Sequence, residues 1–252
     1  DPYVREELLM PSTIEDIDAA MLDYINDFNI RTETNKGFKK VPVIWVAAER
    51  AAQIKQHKGL RDATGAIIYP VITLERNSIV KDLSQKGSVF GNIPPINDAK
   101  KGSITIARRI NQNKTSQFAN ADSKRLYNQI NFKTQKQNKK VVYETYTIPI
   151  PVYINIDYVI SVTTEYQQHM NEIITPFLTT PGGINYFQLE RNGHMYEGFI
   201  DSNFAATNTA ADLQDQERKF TTDINIRVLG YIIGEDKNQE TPKIVKRQNA
   251  VE

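Results

Sequence analysis

The chain has no cysteine, which excludes disulfides, thiolate zinc sites and cysteine nucleophiles together. That composition fits a protein made in a reducing cytoplasm. Histidine is scarce: His57, His169 and His194 lie far apart in sequence, and none has a second ligand beside it at metal-binding spacing. They read as surface or rim side chains. Net charge is almost nil, at +1, so no global field marks a nucleic-acid or membrane binder. No apolar run approaches the roughly 18 residues that suggest a membrane-spanning helix. The opening DPYVREELLMPS lacks the basic start and apolar stretch of a signal peptide. Gly182-Gly183 follows Pro181 and precedes a strand-like run, so it makes a turn and not a phosphate loop. Asp212, Asp215 and Glu217 share a polar loop without the glycine placement of a calcium loop. Asp16, Asp18 and Asp23 mark the solvent side of a helix. No catalytic residue, cofactor or metal is expected, and the chain is not expected to be an enzyme.

What is present is patterned apolar sequence, in a chain of 252 residues that can bury a real core. Ser12-Thr13-Ile14-Glu15 has the form of a capping box. Ile14, Ile17, Met21, Ile25 and Phe28 then recur on one face, predicting an amphipathic helix over about 13–29. Val41–Ala47 reads as a strand, with Pro42 at its start or on an edge. Residues 48–57 read as helix, and Ala66–Glu75 as a second strand. The clearest pattern is Val152, Ile154, Ile156, Tyr158, Ile160 and Val162 alternating with more polar residues, a long strand with one buried face. Tyr166, Met170, Ile173, Ile174 and Phe177 form a helical stripe behind it, which Pro176 should end or kink. A short strand over Ile184–Leu189 follows. A hairpin with arms of about 195–205 and 218–233 comes next, carrying a bulge beside Gly230.

Composition shifts in one place. From Lys81 to Tyr146 there are about thirteen Lys and Arg against about four Asp and Glu, with few large apolar residues. Such a stretch reads as a projecting loop or two-stranded arm that gains order by docking. Arg108, Arg109, Lys124 and Arg125, with Phe118, Tyr127 and Phe132 interleaved, are the candidate partner-binding residues. Docking on an acidic protein surface is the first reading, and contact with DNA phosphates the second. The expected whole is a single α+β domain over 1–252. It has a mixed, mostly antiparallel sheet flanked by amphipathic helices, an extended basic arm over 81–140 and a loose C-terminal tail over 235–252.

The order of elements resembles the tail terminator, or tail sheath stabiliser, family of T-even-like contractile-tailed phages. The likeness rests on MLDYINDFNIR followed by VPVIWVA and AERAAQIKQ, then on IIYPVITLERNSIVKD. It rests also on VYINIDYVISVTTEYQQHMNEIITPFL and on the hairpin SNFAATNTAADLQDQERKFTTDINIRVLGYII. These cover about two-thirds of the chain, and the match is poorest over 81–140. The resemblance implies a subunit with a helix-flanked sheet. It implies a six-membered ring capping the last tube and sheath rings, and a surface facing the neck. The expected partners are therefore further copies of the chain and the tube, sheath and neck proteins, with DNA contact in the channel and no membrane. The expected place is the tail–neck junction of a virion, after assembly in the host cytoplasm. The competing readings are another tail or neck component, such as a tube or head-completion protein, and a DNA-binding module.

Overall fold

A computed structural model describes residues 4–34, 37–46, 60, 67–82, 84, 103–118, 140–180, 185–209, 219–233 and 242–251. In chain order the elements are β1 (Val4–Leu8), α1 (Ile14–Asp27), β2 (Arg31–Thr34), β3 (Gly37–Lys40), β4 (Val43–Trp45), β5 (Val71–Lys81) and β6 (Ser103–Ile110). A short helical segment, α2 (112–118), follows. Then come β7 (Val141–Pro149), β8 (Val152–Thr164), α3 (Gln167–Thr179), β9 (Tyr186–Arg191), β10 (His194–Asn208), β11 (Phe220–Ile232) and β12 (Lys243–Val251). The class is α+β, with antiparallel pairing dominant. The expected helix over 48–57 and the arm segment 119–139 lie outside the described residues.

β8 is the centre of the larger unit, residues 12–85 and 152–232. Its alternation works as the period of a strand dictates: Ile154, Ile156, Tyr158, Ile160 and Val162 are all buried. Val152, expected in the same row, is 36% exposed, because it opens the strand beyond the helices' cover. β8 pairs antiparallel with β5 and with β11, in a six-stranded sheet of order β4-β5-β8-β11-β10-β9. Only β4 runs parallel to its neighbour, β5, and it is an edge strand. Pro42 sits just before it, where a missing N–H costs no ladder bond. β2 and β3 form a separate hairpin.

α1 and α3 cover one face of this sheet, and their buried residues join the buried strand residues in one core cluster. In α1 these are Ile17, Ala20, Met21 and Ile25. Its N-cap is Thr13, with Asp16 closing the capping box, rather than the expected Ser12 and Glu15. Ser12 is instead buried: its hydroxyl donates to the Tyr231 carbonyl at 2.6 Å and meets the Tyr196 hydroxyl at 2.6 Å. The helix stops where Asn29 adopts φ 45°, a left-handed conformation that Asn tolerates better than most residues. α3 buries Met170, Ile173 and Phe177. Tyr166, expected on that stripe, is the N-cap and is 62% exposed. Pro176 does not end the helix, which runs on to Thr179. Proline removes one helical hydrogen bond, and the burial of Phe177 directly after it holds the chain in place.

Two turn features differ from expectation. β9 and β10 form a tight hairpin on Asn192 (φ 51°) and Gly193 (φ 78°), the Asn-Gly signal of a two-residue turn. The bulge expected at Gly230 is absent from the β8–β11 ladder, whose register is unbroken from Phe220 to Ile232. Gly230 answers a different need: a Cβ there would lie 2.7 Å from Ile17 Cδ1, so its absence lets α1 approach the sheet. The irregularities fall instead on β5 between Arg76 and Ser78, and on β10 between Ile200 and Phe204.

The second unit comprises residues 1–11, 86–151 and 233–252. It is a four-stranded antiparallel sheet of order β1-β12-β7-β6. The chain, expected as a single domain over 1–252, divides into two compact units. Within the basic segment, β6, the strand expected around Ile104 and Ile106, is laddered to β7, and the second strand of the expected arm lies outside the described residues. The C-terminal residues 243–251 form β12, an inner strand between β1 and β7. β12 carries no run of large apolar side chains, so its order comes from backbone pairing on both sides.

Candidate interaction site

Among the expected partner-binding residues, Arg108 and Arg109 lie on β6 and Phe118 lies in α2, half-buried. Lys124, Arg125, Tyr127 and Phe132 lie outside the described residues. A register shift between Thr105 and Ala107 inserts Ile106 as an extra residue and sets Arg109 opposite Glu144. Arg108, the next residue along the strand, points to the opposite face of the sheet.

On Arg109's face, Glu144 gathers the neighbouring strands. Its carboxylate, 3% exposed, accepts from Arg109 Nε at 2.7 Å and from Asn111 Nδ2 at 2.7 Å. It also accepts from Gln248 Nε2 at 2.8 Å and pairs with Lys246 Nζ at 3.2 Å. The Arg109 hydrogen bond leads in holding it down to about 2, against the opposing cost of burial. A carboxylate so saturated stays ionised at neutral pH and has no capacity left for proton transfer; it staples β6, β7 and β12. Arg109 and Lys246 also lie over the Tyr146 ring, each 5.4 Å from its centroid. α2 joins the same face, with Asn111 Oδ1 accepting from the Lys114 backbone and Lys114 Nζ bonded to Gln248.

The opposite face of this sheet carries Arg108, whose guanidinium sits 4.5 Å from the centroid of the Tyr143 ring. In register across three strands stand Arg108, Thr145 and Arg247. Cations stacked on aromatic rings are attracted by the ring face yet keep hydrogen-bonding capacity for a further partner. Lys246 and Arg247 escaped the sequence reading because they fall in the segment read as loose tail.

The larger unit offers a second feature on the sheet face away from α1 and α3. A groove of about 750 Å³ is lined by Asn77, Asp157, Val159, Phe199, Asp201, Asn225, Arg227 and Leu229, among others. The β5 and β10 irregularities border it: Asn77 and Asp201 both belong to residues inserted there. Inside it, Asp157 accepts from Ser78 Oγ at 2.7 Å and pairs with Arg227 Nε at 3.2 Å. Asp157 and Arg227 thus neutralise each other within the groove.

The remaining polar candidates are structural. Asp18 is bonded to Arg76 at 2.5 Å and accepts from the buried Tyr158 hydroxyl at 2.7 Å; burial pushes its carboxyl up. Asp23 pairs with Arg191 at 2.5 Å. The α1 acids thus tie the helix to the sheet and are not a purely solvated row. His169 Nε2 lies 2.9 Å from the Glu33 carbonyl. His194 is buried, not on a rim, with Nδ1 3.1 Å from the Tyr231 hydroxyl. His57, Asp212, Asp215 and Glu217 lie outside the described residues. Among the described residues no group of three or more His, Asp or Glu is placed to hold a metal ion, and no helix is long and apolar enough to cross a membrane. Comparison with known protein families and with curated proteins finds no match.

Proposed function

We propose that the chain is a structural subunit of a contractile phage tail, a ring-forming terminator that ends the tube and sheath and joins them to the neck. One observation carries the reading. The stretches behind the tail-terminator resemblance fall, all but Ile233, in the unit of residues 12–85 and 152–232, although a long stretch of sequence separates them. Most of the poorly matching segment 81–140 belongs to the other unit. A ring subunit needs two unlike surfaces, because cyclic interfaces are heterologous. The chain has them as two sheets of different order and different side-chain character. The DNA reading is weaker on Arg109's face, where Arg109 and Lys246 are committed to Glu144.

The test is electron microscopy of tails assembled with and without the chain. With it, tubes and sheaths should stop at a fixed length with the chain at their head-proximal end. Without it, tubes should overgrow and fail to join heads. Tails of normal length that join heads in its absence contradict the proposal.

A further inference from the structure

The near-neutral total charge conceals an asymmetry between the two units. Residues 1–11, 86–151 and 233–252 hold 17 Lys and Arg against 10 Asp and Glu, whereas residues 12–85 and 152–232 hold 14 against 20. The imbalance is also local. On the six-stranded sheet, the face away from α1 and α3 bears Glu75, Asp157, Glu190, Glu197, Asp201 and Asp223. Each of these alternates with core-facing neighbours, and Arg227 is the one cation among the described residues at the outward positions of β5, β8, β9, β10 and β11. Phe199 and Met195 are exposed on the same face. On the four-stranded sheet, the face away from α2 bears Arg108 and Arg247 in line, with exposed Leu8 and Ile110. Its Glu6 is already paired with Lys243 at 2.7 Å.

We propose that these two faces are the halves of a head-to-tail interface: the Arg108–Arg247 face of one copy docks on the acidic grooved face of the next. The inference rests on the ring reading and names the surfaces that would build it. Opposite potentials steer encounter and fix which faces meet. Exposed apolar side chains among the charges supply contact area once the faces are together. The two faces of one copy are unlike each other, so docking leaves a free face at each end and propagates head to tail, as the ring reading requires. The occupant is a second copy because the charge missing from each face is present on the other.

The test uses two charge-reversed full-length variants. The first carries Arg108→Glu and Arg247→Glu. The second carries Glu75→Lys, Glu197→Lys and Asp201→Lys, which spares the paired Asp157. Analytical ultracentrifugation at low salt should show wild-type oligomers that weaken roughly tenfold or more at high salt. Each variant alone should associate roughly a hundredfold more weakly than wild type, because like charges then face each other. Mixed in equal amounts, the two variants should recover association, with both variants present in equal numbers in the complexes, because the intact basic face of the second meets the intact acidic face of the first and the two reversed faces are again opposite in sign. That recovery cannot arise from misfolded variants. Variants that each assemble like wild type overturn the inference while leaving the ring reading intact, as does a mixture in which nothing forms while wild type assembles. A wild-type chain that stays monomeric under every condition overturns both.

Discussion

At neutral pH Glu144 is held ionised by Arg109, Asn111, Lys246 and Gln248, and its pKa falls from 4.5 to about 2. A depressed carboxylate adds stability that is complete above its unfolded value and drains away as pH falls from about 4.5 towards 2. Asp18 works in the opposite sense: burial raises it, so its charged form opposes folding and acid relieves that cost. The two residues lie in different units. Hydrogen exchange at pH 3 should therefore show protection lost from β7 and β12 before β8, relative to pH 7; equal loss would contradict this. Tyr24 gives a second expectation. Its hydroxyl is buried with no partner among the described residues, and burial pushes the phenol up to about 12. Its ring stacks on Phe187 at 4.2 Å. Tyr24→Phe keeps the ring contact and deletes the unsatisfied group, so it should stabilise by on the order of 1 kcal/mol, read as a higher urea midpoint. A lower midpoint would mean that the hydroxyl has a partner.

β12 separates two views of the C-terminal residues. As a loose tail it would be dispensable; as an inner strand it supplies ladder bonds to both β1 and β7. Truncation after Pro242 should expose β1, β6 and β7 to limited proteolysis while β8, β11 and α1 stay protected, and equal resistance to wild type would restore the tail reading. β12 was illegible because Lys246, Arg247, Gln248 and Asn249 give no apolar alternation; half-burial and backbone pairing order it. β8 was legible for the converse reason, since its buried row is apolar at every second position. Val152 and Tyr166 show where periodicity fails, at element ends, where the pattern continues but the cover does not. The Asn192-Gly193 turn carries the readable Asn-Gly signal of a two-residue hairpin. The candidate site was half legible. Positive charge pointed to Arg108 and Arg109, and the period of a strand puts them on opposite faces, but which of them meets Glu144 depends on the Ile106 insertion, which no local pattern announces.

At the scale of the whole molecule, the two units carry opposite net charge, and each presents a sheet face that the described helices leave bare. Neither feature could be read before the chain's division was known, because the basic unit is assembled from both termini and an internal segment. Under the ring proposal, a subunit that must meet copies of itself on two unlike sides uses both faces. The measurement that tests this most directly is native mass spectrometry of the full chain at micromolar concentration and low salt, with electron microscopy of the same sample. The account predicts closed rings at six times the 28.8 kDa subunit mass. A sample that contains only monomer, and shows no ring in the images, would contradict it.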